Sequence, residues 1–133
     1  MISDLPTLLA AMRPVLNPGR YVFVTLPSNQ PLNLHAIVAS VREPEGLSVV
    51  LTEEDANGLG LEASYVAAWI TLKIQSDLAA VGLTAAFSNA LAQAGISCNV
   101  IAGKHHDHLF LPHEQAQMAM SILNALEAAA ATR

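Results

Sequence analysis

The sequence predicts an α+β fold with antiparallel sheets, built as two halves, on three observations. Apolar and polar residues alternate in short runs, most clearly Ile70, Leu72 and Ile74 against Trp69, Thr71 and Lys73, the period of a half-buried strand. Elsewhere the spacing changes to three and four residues, as at Leu83, Ala86, Phe87, Ala90, Leu91 and Ala94, which lines one side of a helix. Strand-like runs are joined by tight turn sequences, Glu43-Pro44-Glu45-Gly46 and Gly103-Lys104, and such short connections make antiparallel hairpins.

In chain order, Ser3 or Asp4 is placed to cap a short helix running to about Met12, with Pro6 in a first-turn position that tolerates it. Pro14, Pro18 and Gly19 then break the chain before a strand at Tyr21 to Leu26. Pro27 to Pro31 is a turn-rich loop, and Ala36 to Arg42 pairs with Leu47 to Leu51 as a hairpin. Thr52, followed by Glu53, Glu54 and Asp55, starts a helix, because its hydroxyl accepts an orphan N–H and the carboxylates favour the positive end of the dipole. Asn57 and Gly58 keep that helix brief.

The second stretch opens with the strand Trp69 to Gln75, followed by a helix from Gly82 to Ala94 that Gly95 ends in a left-handed turn. A strand from Ile96 to Ala102 places Ile96, Cys98, Val100 and Ala102 on one side and Ser97, Asn99 and Ile101 on the other. Its returning partner, His106 to Leu111, sets Asp107, Leu109 and Leu111 against His106, His108 and Phe110. Beyond Pro112 a last helix carries Ala116, Ala119, Met120, Leu123 and Leu126, with Met118, Ile122 and Ala125 widening its apolar stripe.

The expected halves are residues 1–62 and 63–133. The second lacks a closing strand for a β-α-β-β-α-β unit, and the strand at Tyr21 to Leu26 is its most economical donor. The result is a ferredoxin-like α/β sandwich of two interleaved halves that share strands.

Composition bounds the role. The chain has 133 residues, 53% of them apolar and 13% charged, so it can bury a core and is far from a disordered profile. Net charge is −5 and the six Lys and Arg are scattered, so no basic face exists to neutralise nucleic-acid phosphates. The low charge leaves little polar surface for a monomer, which makes a homo-oligomer the expectation. No basic stretch precedes an apolar core, and no run approaches the roughly 20 apolar residues that span a bilayer, so the expected location is cytoplasmic and no membrane partner is expected. The lone cysteine, Cys98, has no intrachain partner and reads as packing.

Trp69-Ile70-Thr71-Leu72, Val81-Gly82-Leu83-Thr84-Ala85-Ala86, Ala94-Gly95-Ile96-Ser97-Cys98-Asn99-Val100 and His106-Asp107-His108-Leu109-Phe110 resemble the small stand-alone ACT-like proteins, an uncharacterised bacterial family with two ACT-type subdomains. The likeness is strong over the second half and looser through Leu47 to Ala56. It implies a regulatory module that binds an amino acid or related metabolite at an interface between domains. In place of the Asp-x-Pro-Gly loop common in metabolite-sensing members, this chain has Ser76-Asp77-Leu78-Ala79-Ala80-Val81-Gly82.

The expected ligand-binding residues are Ser76, Asp77, Val81, Gly82, Leu83, Thr84, Cys98 and Asn99. Gly82, Leu83 and Thr84 would offer helix N-terminal N–H groups to a carboxylate, and Asp77 and Asn99 would meet an ammonium. The plainer alternative has Asp77 starting a turn and Asn99 satisfying neighbouring strands. No cofactor is expected. A metal reading rests on His106 and His108, two apart on one strand face with His105 in the turn; two ligands do not make a tetrahedral site, and the expected metal set is none. Catalysis finds no nucleophile elbow and no phosphate-cradling loop, so the expectation is a non-enzymatic sensor, with a ligand-free interaction module as the alternative.

Overall fold

The computed structural model describes residues 4–132. Its elements are α1 (Leu5–Ala10), β1 (Pro14–Leu26), β2 (Ala39–Glu43), β3 (Gly46–Thr52), α2 (Glu53–Gly58), β4 (Ala67–Leu72), α3 (Leu83–Gln93), β5 (Asn99–Ala102), β6 (Asp107–Pro112) and α4 (Ala116–Ala131). Short 3-10 turns at Leu34–Ala36 and His113–Gln115 complete the set. The chain divides into two compact units, one holding the described residues up to Pro18 together with those from Ala68 onward, the other Gly19–Ala67.

The smaller unit is a three-stranded antiparallel sheet in the order β2-β3-β1. Its hairpin closes on Glu43 opposite Gly46, with Ala39 opposite Val50, so Pro44 and Glu45 form the turn as their sequence predicts. Val22, Val24, Val49, Leu51 and Ala56 form its buried cluster. Thr52 caps α2, its hydroxyl accepting the Asp55 N–H at 3.1 Å.

In the larger unit the strands run in the order β1-β4-β6-β5. The N–H groups of Lys73 and Ile74 donate to the carbonyls of Arg13 and Met12 at 3.2 and 3.3 Å, which continues antiparallel pairing past the end of β4. Helices α1, α3 and α4 pack on one another. Leu8, Ile70, Leu72, Phe87, Leu109 and Leu123, all fully buried, belong to the core beneath them. Ile70, Leu72 and Ile74 enter that core while Lys73 is exposed, as period 2 predicts, although the strand itself runs Ala67–Leu72 rather than Trp69 to Gln75.

Four further expectations are corrected. The closing strand comes from the residues before Tyr21: β1 is 13 residues long, about 43 Å at strand rise. Its later part, Tyr21 to Leu26, pairs with Thr52 to Leu47, leaving the Pro14 end for β4. Pro14 and Pro18 therefore lie inside a strand rather than before it. Next, β5 starts at Asn99 rather than Ile96, because the Gly95 and Ile96 N–H groups bond back to the Ala92 and Leu91 carbonyls at 2.9 and 3.0 Å. That is a Schellman closure of α3, with Gly95 at φ +75 and the apolar pair Leu91 and Ile96 buried together.

Third, the stripe of α4 is narrower than its composition predicts: Met118 is 53% exposed and Ala125 lies outside as well. Fourth, α1 ends at Ala10 rather than Met12, and Asp4 caps it by accepting the Thr7 N–H at 3.2 Å. The other expected cap, Ser3, falls outside the described residues.

Candidate functional site

After β4 the chain turns through Ser76 to Gly82 into α3. Asp77 shapes this loop, its Oδ1 accepting the Ala79 N–H at 2.9 Å and its carbonyl accepting the Ala80 N–H at 2.9 Å. Ser76 is half-buried. Leu78 and Val81 are 69% and 85% exposed, so the loop presents apolar side chains outward beside the helix start.

Gly82 is the N-cap of α3 at φ +106, and no side chain caps the helix. A Cβ on Gly82 would stand 3.0 Å from Leu5 Cδ2, so sterics and backbone both favour glycine here. Leu83 is buried and anchors the first turn, while Thr84 is exposed. The turn therefore carries the partial positive charge of a helix N-terminus with no side-chain capping bond and no acidic residue in its first turn.

Cys98 and Asn99 stand elsewhere. Cys98 packs against the core of the larger unit, and burial pushes its thiol up to about 11, so it stays a protonated packing group at neutral pH. Asn99 lies opposite Phe110 on the β5-β6 ladder and its amide donates to the Phe110 carbonyl at 3.4 Å. Phe110 in turn stacks with Trp69, ring centres 6.1 Å apart, which sets Asn99 level with the start of β4. The loop at Ser76 begins seven residues beyond Trp69, roughly 23 Å along an extended chain. Within one chain, Ser76, Asp77, Val81, Gly82, Leu83 and Thr84 come together, and Cys98 and Asn99 do not join them.

Sequence reasoning missed a polar cluster on the sheet face away from the core of the larger unit. Trp69 Nε1 donates to His108 Nδ1 at 3.1 Å, and Thr71 Oγ1 is also 3.1 Å from that nitrogen. Asn17 Nδ2 donates to Thr71 Oγ1 at 2.9 Å and to the Trp69 carbonyl at 3.2 Å. Thr71 is buried. The available signal was the shared period 2 of Trp69 and Thr71 with His108 and Phe110, which sets all four on the face opposite the main apolar cluster, where Thr71 and Phe110 are nonetheless buried.

Of the other expected groups, Glu53 pairs with Arg20 at 2.8 Å at the start of α2, an arrangement that serves the helix. His106 Nδ1 lies 3.5 Å from the Ile74 carbonyl. Among the described residues no three or more His, Cys, Asp or Glu gather as metal ligands. A cleft of about 680 Å³ at the Leu26 and Leu47 end of the smaller sheet has Glu45 as its one ionisable lining residue, and so offers no positive side chain to a carboxylate. No helix among the described residues is long and apolar enough to cross a membrane.

Two models described as ACT domain match the chain, over residues 2–68 and 64–125. No curated protein matches it. Among solved structures it is similar to a protein of unknown function from Vibrio cholerae, VC0802, described as a possible transport protein: 48% identity, TM-score 0.80, covering 92% of this chain and 95% of that one. It is similar in fold to Atu0741 from Agrobacterium tumefaciens, with 19% identity, TM-score 0.57 and coverage of 82% and 84%. The same holds for aspartokinase alpha and beta subunits, with 12% identity, TM-score 0.56 and coverage of 85% and 95%. The ferredoxin-like α+β architecture is thus the ACT architecture, and the chain belongs to the ACT-domain family, whose members are typically regulatory ligand-binding domains.

Proposed function

We propose that this protein is a regulatory small-molecule-binding protein without catalytic activity, and that its ligand is an amino acid or a close relative. The observation that carries this reading is the start of α3: an uncapped helix N-terminus opened by Gly82 at φ +106, beside the exposed apolar side chains of Leu78 and Val81. Uncapped N–H groups suit a carboxylate, and the apolar residues suit a side chain. Family membership supports a ligand of this class. Asp77 already accepts the Ala79 N–H, and its second oxygen remains to meet an ammonium.

The non-catalytic reading is supported by how the reactive groups are held: the Cys98 thiol is raised to about 11 by burial, and Glu53 is paired with Arg20. A homo-oligomer fits the outward display of Leu78 and Val81, which a second copy would cover.

A thermal-shift screen of the purified protein against the twenty amino acids tests the reading. A ligand at 100 times its dissociation constant adds about 2.7 kcal/mol, which a domain of this size registers as several degrees. A selective shift is the expected result. Twenty flat traces at millimolar ligand would remove the amino-acid assignment and favour an interaction module.

A further inference from the structure

Trp69 is the sole tryptophan of the chain, and its Nε1–H points at His108 Nδ1 from 3.1 Å. An indole N–H can only donate. His108 Nδ1 must therefore present a lone pair, which places the single proton of the neutral ring on Nε2. Thr71 Oγ1, at 3.1 Å from the same nitrogen, accepts from Asn17 Nδ2, leaving its own hydroxyl proton to point at Nδ1. Both neighbours thus bring protons to one lone pair.

We propose that His108 is a proton-operated latch: neutral, it holds the Trp69 indole across the β4-β6 pair, and protonated, it lets the indole go. The second proton goes to Nδ1, where it faces the Trp69 N–H head on. Thr71 can turn its hydroxyl and accept from the new N–H; the indole has no such freedom. One bond of the cluster survives protonation and one does not, which makes this a switch with a defined moving part.

The surroundings set where it operates. Burial disfavours the imidazolium most, His106 and Lys73 oppose it as positive neighbours, and Asp107 alone favours it. Trp69 and Thr71, which meet Nδ1, and Gly103, which lies against the Nε2 side, carry no charge. The net direction is downward from the ordinary 6.5, so the latch is closed at neutral pH and opens in mild acid.

The test follows the tryptophan emission of the full chain from about pH 7.5 to about pH 4.5, a range that spans histidine titration. The expected result is a reversible fall in emission with a midpoint below 6.5. It should vanish in His108→Asn, which keeps an acceptor near the Nδ1 position but does not titrate. The midpoint should rise in His106→Gln and in Lys73→Met, since each removes a positive neighbour. The same transition in His108→Asn, or constant emission in the natural chain, overturns the proposal. A readout independent of variants is the ¹⁵N spectrum of the His108 ring at neutral pH: the Nε2–H tautomer is required, and an Nδ1–H ring, or titration at or above 6.5, overturns it equally.

Discussion

The Glu127 carboxylate accepts the backbone N–H of Arg13 at 2.6 Å, across 114 residues of sequence. Arg13 is the one non-glycine residue with positive φ among those described, at +49, and it stands where α1 gives way to β1. A side chain of α4 thus holds the corner from which the long strand departs. Glu127→Ala should lower the unfolding free energy by about 1 kcal/mol, the charge-assisted bond being discounted for its exposure. Arg13→Gly should leave stability unchanged or raise it, because it relieves left-handed strain. Urea midpoints of both variants check this, and a destabilised Arg13→Gly would refute the strain.

Cys98 should be slow to alkylate. With its thiol at about 11 rather than 9.0, the folded protein holds about 100-fold less thiolate at mildly alkaline pH than the unfolded chain does. Iodoacetamide labelling followed by mass should show at least that ratio of rates between native protein and protein in urea. Equal rates would mean that the thiol is open to solvent.

Stability should fall in mild acid. The folded value of His108 is depressed below the ordinary 6.5, so between the two values the unfolded chain binds more protons. The contribution is present above 6.5 and is lost as pH falls through the folded value. Chemical denaturation at neutral pH and in mild acid, in the natural chain and in His108→Asn, should show a smaller acid loss in the variant. An identical loss in both would place the effect on other groups.

At the start of α3, two substitutions separate folding from binding. Gly82→Ala forces a side chain to φ +106 and to within 3.0 Å of Leu5 Cδ2, and should cost about 1–3 kcal/mol. It would weaken any ligand site merely by unfolding it. Thr84→Glu places a carboxylate in the first turn, where it favours the helix dipole by about 0.3–1 kcal/mol while repelling an anionic ligand. The expected pattern for Thr84→Glu is equal or higher melting temperature with the amino-acid shift abolished; a retained shift would move the ligand elsewhere.

Much of this architecture was legible because local chemistry and global packing agree. Ile70, Leu72 and Ile74 declare their strand, Glu43 to Gly46 its hairpin, and Thr52 and Gly95 the helix ends. What escaped was set by distant partners. Pro14 and Pro18 look like breakers until the strand's pairing is known, and Ile96 looks like strand until Leu91 claims its N–H. The Trp69, Thr71 and His108 cluster joins residues 37 and 39 apart, which periodicity orients but cannot bring into contact. The loop of the candidate site was readable as a helix start, whereas the reach from Asp77 to Asn99 depended on a register that only the β5-β6 ladder reveals.

The most direct test of the central claim is an amide ¹H–¹⁵N titration of the protein with an equimolar mixture of the twenty amino acids. The account predicts that the N–H signals of Leu83 and Thr84 move first and furthest, with those of Val81 and Gly82 beside them. Saturating additions that leave these four amides in place, whatever happens elsewhere, would contradict it.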